Sequence, residues 1–292
     1  SITDGFRLSL HNLTLQNGHI TLGNGGAIYA GGGSLDLYNS TIQNNTVTNG
    51  LGGGGGAIYA DGSNNVGLYN SIIQNNTVDR PFAFGAGIFL EDVATFEMYD
   101  SAVLENEHKG DGSNGGGIAL GQLLGPTVTI ENSDILDNIA RDHGGGIWVS
   151  NSPLSVMNSN ISGNIAQGNG GVVNGGAILT YRNTSSISIN GNCISGNSET
   201  SVYHTDPMQD DDNDDIDATS NWWGASTLPA NAVNDKVETA PILTQEPTTC
   251  GRSDGGTPTA TPTPTPIPTL SPQDLATAFP VPLTAAAPAR LS

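Results

Sequence analysis

The chain has 292 residues, with 28 acidic side chains against 8 basic ones and a formal charge of −20. Nucleic acid and anionic membranes are held through clustered lysine and arginine, so neither is an expected partner, and no apolar run of about 18 residues is present to span a bilayer. Forty glycines and 5% aromatic residues suit a thin coil of short strands better than a single globular α/β core.

The sequence opens at Ser1 and enters strand-like sequence at once (Phe6-Arg-Leu-Ser-Leu10), as expected of a mature or truncated product. A partial unit over Leu8–Gly18 is followed by a Gly-Gly-Ala-Ile phrase that returns six times. Its isoleucines are Ile28, Ile58, Ile88, Ile118, Ile147 and Ile178, spaced by 30, 30, 30, 29 and 31 residues. A second phrase, Asn-Ser-x-Ile-x-x-Asn, keeps step and ends at Asn45, Asn76, Asn106, Asn138, Asn164 and Asn197. A fixed period in this range marks stacked units. Within one unit, the runs 25–30, 34–38 and 41–45 alternate apolar and polar residues, as half-buried strands do. No segment has helical periodicity long enough for a crossover helix. Three short strands per turn, with each turn laid on the last, predict an all-β fold, a right-handed parallel β-helix (solenoid) of about seven rungs.

Equivalent positions in such a coil stack about 4.8 Å apart. The six isoleucines then form one internal column. Leu10, Leu37, Leu68, Met98, Ile130, Val156 and Ile189 form a second, and Leu15, Ile42, Ile73, Val103, Ile135, Ile161 and Ile194 a third. The glycine pairs suit corners that need positive φ or close backbone approach. The recurrent asparagines suit corners as well, where the amide can bond the neighbouring rung. Both are read as structural rather than as sugar or metal ligands.

The coil is expected to run over residues 1–250, with a C-terminal cap at about 198–250. Cys193 and Cys250 flank this cap and are expected to pair, closing a loop of 57 residues worth roughly 4 kcal/mol in the chain-entropy model. Within the cap, the acidic run at 210–217 offers Asp210, Asp212, Asp214 and Asp217 as a candidate calcium site, since calcium takes six to eight oxygens. Calcium apart, no cofactor is expected. Trp222 and Trp223 read as a hydrophobic plug on the last rung. Beyond Cys250 come a Thr/Pro-rich linker (251–269), whose repeats suit an extended polyproline-II spacer, and an apolar tail (270–292). Leu275, Phe279, Val281 and Leu283 in that tail are the candidate subunit contacts.

Three phrases (Gly-Gly-Ala-Ile, Asn-Ser-x-Ile-x-x-Asn and Asn221-Trp-Trp-Gly-Ala225) together resemble bacterial right-handed parallel β-helix repeat proteins of the cell surface. The repeats are similar to those of the polymorphic outer-membrane protein family, with Ile/Val-x-x-Asn standing where that family has Phe-x-x-Asn. The resemblance covers about residues 5–250. It implies an exported, bacterial, extracellular or cell-surface protein that is structural or adhesive and not an enzyme. An open first rung is a template for pairing, and an apolar tail on a spacer can reach a neighbour. Head-to-tail self-assembly into a filament is therefore expected, with surface glycans as further candidate partners. A stalked monomeric adhesin is the alternative. So is a polysaccharide lyase or hydrolase, although the basic residues form no cluster and Asp142-His143-Gly144 supplies only a fragment of a hydrolase site. Asp134 and Asp137 are the other acidic residues near that histidine.

Overall fold

A computed structural model describes residues 5–251, apart from 63–64, 122–126, 169–174, 182–185, 199, 206–215 and 235. The chain divides into two units, Ser1–Thr259 and Ala260–Ser292. The second unit, with Leu275, Phe279, Val281 and Leu283, lies outside the described residues.

The turns beginning at Ile28, Ile58, Ile88, Ile118 and Ile147 each contribute four strands where the sequence pattern suggests three. In one turn these are Ile28–Gly31, Ser34–Tyr38, Thr41–Gln43 and Thr46–Thr48. Strands of successive turns pair in parallel and build four sheets, called here sheets 1 to 4 in that order, with seven, nine, seven and six strands. The fourth strand is only two or three residues long, as in Thr77–Asp79 and Glu107–His108. So short a run, caught between an asparagine corner and a glycine loop, carries no visible alternation.

The register confirms the columns. Ile28, Ile58, Ile88, Ile118, Ile147 and Ile178 pair in succession and continue to Val202. The column from Leu10 to Ile189 runs along sheet 2, and the column from Leu15 to Ile194 along sheet 3. A further column on sheet 2, two residues earlier, runs Leu8, Leu35, Val66, Phe96 and Val128. These side chains merge into one continuous core, each contributing about 1.5–3 kcal/mol by leaving water.

Both corners of sheet 3 are laced by polar ladders. At its far end the amide of Asn45 donates to Asn76 Oδ1 (2.9 Å), Asn76 to Asn106 (2.9 Å), Asn106 to Asn138 (2.9 Å), Asn138 to Asn164 (3.0 Å) and Asn164 to Asn197 (3.0 Å). At its near end a second ladder uses the serine of the same phrase. The hydroxyl oxygens of Ser71, Ser101, Ser133 and Ser159 accept from the backbone N–H of the serine one turn earlier. Asn192 and Asn221 continue that ladder. The neighbouring residues Asn39, Asn44, Asn70 and Asn75 hold φ between 49° and 55°, the left-handed region that asparagine tolerates.

The two glycines of each pair do different work. The first (Gly25, Gly55, Gly85, Gly115, Gly144, Gly175) has positive φ in every turn, while Ala86 takes the place of the second in turn three. At Gly55, with φ at +67°, an added Cβ would run into the carbonyl oxygen of Ile58. Gly55→Ala is therefore expected to cost about 2–3 kcal/mol through left-handed strain and backbone displacement. Urea denaturation checks this; a cost no greater than that of an exposed substitution would show that the corner relaxes.

Candidate functional site

The sequence-selected residues separate in space. Cys193 and Cys250 form a disulfide with Cα atoms 5.2 Å apart. Cys193 faces out of sheet 3, since its neighbour Ile194 is in the core. The bridge therefore staples the 3-10 turn Thr248–Gly251 to the flank of the coil and does not lie across its end. Trp223 is 3% exposed and closes the interior. Trp222 pairs with Cys193 in an isolated parallel bridge and is half-buried, so only one of the two indoles plugs the coil.

Asp210, Asp212 and Asp214 lie outside the described residues. Asp217 ends the short strand Ile216–Asp217. Burial pushes its pKa up, but hydrogen bonds from Thr219 and Asn190 outweigh this and hold it below the ordinary carboxylate value. Its oxygens accept from the Thr219 N–H (3.1 Å) and the Asn190 amide (3.3 Å). Among the described residues no three His, Cys, Asp or Glu side chains group as metal ligands, and no helix is long and apolar enough to cross a membrane. Asp134 lies in sheet 3 and Asp137 at the corner beyond it, whereas Asp142 and His143 enter sheet 1 from the preceding loop. The four do not meet.

Unpartnered buried polar atoms gather instead around the loops that join sheet 4 to sheet 1. They include Arg80 Nε, both ring nitrogens of His108, Asn114 Oδ1 and His143 Nδ1. Arg80, 4% exposed, reaches back beneath the glycine-rich loop of the previous turn. Its guanidinium donates to Gly23 O (2.8 Å) and to the side-chain oxygen of Asn24.

On the outer side of sheet 1 the register aligns Tyr29, Tyr59, Phe89, Ala119, Trp148, Leu179 and Tyr203. Phe84, from the loop entering turn three, stacks on Phe89 (centroids 5.2 Å apart) and tilts against Trp148 (4.9 Å). It packs with the fully buried Ala119, where a larger side chain would displace it. The joining loops 22–27, 49–57, 80–87, 109–117 and 141–146 have six, nine, eight, nine and six residues. The six-residue loop 141–146 brings His143 in parallel register with Asn114, as Asn114 is with Phe84.

Beside Trp148 this leaves a cleft of about 170 Å³ lined by Asn114, His143, Trp148, Leu179, Tyr181 and Thr205. Burial pushes the His143 pKa down, and the Asp142 charge only partly restores it, so at neutral pH the ring is uncharged. The cleft thus has an apolar wall beside the side chains of Asn114 and His143, whose Oδ1 and Nδ1 atoms are shut off from solvent and lack a hydrogen-bond partner. Such a setting suits binding. Of the residues that build it, the sequence reading singles out only His143, as part of a hydrolase fragment, although Asn114-Gly115 and His143-Gly144 stand at the same place in two units.

Comparison with curated proteins and with solved structures returns no match. The family model described as right handed beta helix region matches residues 2–122, and the chain, an all-β parallel solenoid throughout its described residues, has the right-handed parallel β-helix fold.

Proposed function

We propose that the chain is an exported, non-catalytic β-helix with a structural or adhesive role at a bacterial cell surface. The observation that carries this reading is the Cys193–Cys250 disulfide, since such bonds persist in oxidising compartments and are rare in the cytosol. The polar ladders support it, because they spend the repeat's asparagines and serines on holding turns together. Thiol alkylation and mass spectrometry of the protein from its native cells are expected to find both cysteines oxidised in the extracellular or surface fraction. Reduced protein confined to the cytosol would overturn the reading.

Self-association through the tail belongs to the same proposal. The full chain is expected to form filaments under negative-stain electron microscopy, and a chain ending at Gly256 is expected to remain as single rods. Single rods in both samples would remove self-assembly and leave adhesion. Release of reducing or unsaturated sugar ends from a polysaccharide panel would favour the enzyme class instead.

A further inference from the structure

We infer that a ridge of three exposed apolar side chains, Leu22, Leu51 and Phe82, is the acceptor for the apolar tail segment 270–292 of a neighbouring copy. This deepens the self-association reading by naming the surface that the tail meets, and rests on that reading for placing the tail on another copy.

Three observations converge. The first is exposure on adjoining turns. Leu22, Leu51 and Phe82 stand on three successive loops that join sheet 4 to sheet 1, and they are 75%, 76% and 62% exposed. The loops touch. A Cβ on Gly50 would lie 3.7 Å from the Leu22 side chain, and one on Gly52 would lie 3.6 Å from the Phe82 carbonyl oxygen. Gly50, Gly52 and Gly53 bring no side chains to cover the three. On the following turns the Asp111–Arg141 ion pair (3.1 Å) closes the ridge with a charged edge, as the polar rim of an interface does. A single exposed leucine needs no explanation, whereas a contiguous apolar row marks a contact surface.

The second observation is backbone strain. Leu22 and Phe82 hold φ at 66° and 56°, a left-handed region that disfavours bulky side chains and suits glycine or asparagine. The corners beside sheet 3 meet the same geometry with Asn39, Asn44, Asn70 and Asn75. Leucine and phenylalanine gain no burial here to offset the strain, so folding alone does not account for them. Strain of this kind gathers where a chain meets a ligand.

The third is the match to the tail. Residues 252–292 carry Arg252 and Arg290 against Asp254 and Asp274 and are neutral, which leaves the whole −20 on residues 1–251. Two coils meeting side by side bring like charges together, whereas the tail brings none. Leu275, Phe279, Val281 and Leu283 are side chains of the same kind as the ridge, and burying each against it removes apolar surface from water. The chain is tied to the coil at Cys250. The spacer beyond it, 257–269, extends to about 40 Å, roughly eight turns at about 4.8 Å each, which is long enough to cross to another copy.

The test is photo-crosslinking of the full chain. Phe82→p-benzoylphenylalanine keeps an aromatic ring at an exposed position. Equal amounts of unlabelled and nitrogen-15-labelled chains are mixed before assembly, irradiated and mapped by mass spectrometry. Cross-links from position 82 to residues 270–292 are expected, about half of them joining an unlabelled chain to a labelled one. Cross-links to the tail within single copies only, or none to the tail, would overturn the inference. A second variant, Leu22→Asn with Phe82→Asn in the full chain, is expected to raise the concentration needed for assembly roughly tenfold or more in sedimentation. Its urea midpoint is expected to stay level or rise, because asparagine relieves the left-handed strain. Assembly unchanged in that variant would also overturn the inference, and if the variant does not fold, the cross-link decides. Tail-dependent filaments without a cross-link from position 82 would leave self-association standing and remove only the ridge. Single rods from the unaltered chain would instead remove self-association itself.

Discussion

Replacing His108 by valine is expected to stabilise the coil, and to do so increasingly as the pH falls. His108 occupies a column of sheet 4 that also holds Ile20, Val47, Val78, Ala140 and Ala166. It is 1% exposed, and neither ring nitrogen has a hydrogen-bond partner. Leaving a buried polar group unsatisfied costs about 1–3 kcal/mol, so His108→Val is expected to gain an amount in that range at pH 7.5.

The acid effect adds to this. Burial first, and the Arg80 charge second, push the His108 pKa down from 6.5 to about 3. A base with a lowered folded pKa is bound to more protons in the unfolded chain, so stability falls as the pH drops below 6.5 and the loss is complete near pH 3. At about 1.4 kcal/mol per pH unit, the loss is roughly 3 kcal/mol at pH 4.5 and roughly 5 kcal/mol at the acid limit. Urea midpoints of the two proteins at pH 7.5 and 4.5 should therefore diverge toward acid. A gap that stays constant with pH would show that His108 is not the acid-labile group.

Asn106→Leu is the second large effect, in the opposite direction. Asn106 is fully buried. Its oxygen accepts from the Asn76 backbone N–H (3.0 Å), and its amide donates to Ile73 O (3.0 Å). Leucine matches the size but leaves that N–H unpaired inside the coil and removes the side-chain donor to that carbonyl and the ladder bonds to Asn76 and Asn138. At about 1–3 kcal/mol for the orphaned N–H and about 1 kcal/mol for each of the other buried bonds lost, the cost is about 4 kcal/mol. A contrast is built into the same turn. Gln74 donates to Gln43 Oε1 (2.8 Å) in a row that also joins Gln43 to Gln16, but that row lies on the partly exposed face. Gln74→Leu is therefore expected to cost under about 1 kcal/mol, since water replaces the lost bond. Comparable losses for both variants would mean that burial does not set the strength of these ladders. Hydrogen exchange at the Asn76 amide gives an independent readout, with protection lost in Asn106→Leu and kept in Gln74→Leu.

The period, the three columns headed by Leu10, Leu15 and Ile28, and the glycine and asparagine corners are legible in the residues alone. Each of these is a local pattern repeated in register, and stacking can satisfy it in only one way. A slip of one residue would turn Leu37 and Ile42 out of the core together. The fourth sheet escaped because runs such as Glu107–His108 are too short to alternate. The serine ladder was present in the repeated phrase, but the phrase alone does not say which of its polar atoms face the next turn.

The stacked turns reveal that Cys193 points outward to a flank, that Trp223 enters the core while Trp222 does not, and that Asn114, His143 and Trp148 share one cleft. The cleft depends on how far the loops between sheets 4 and 1 fold back over the outer face. The loops differ in length from turn to turn and obey no period. The shorter loop at 141–146 aligns His143 with Asn114 and leaves the cleft beside Trp148. Columns follow from repetition, which a sequence displays directly. The cleft follows from a break in that repetition, which acquires meaning only once the turns are stacked.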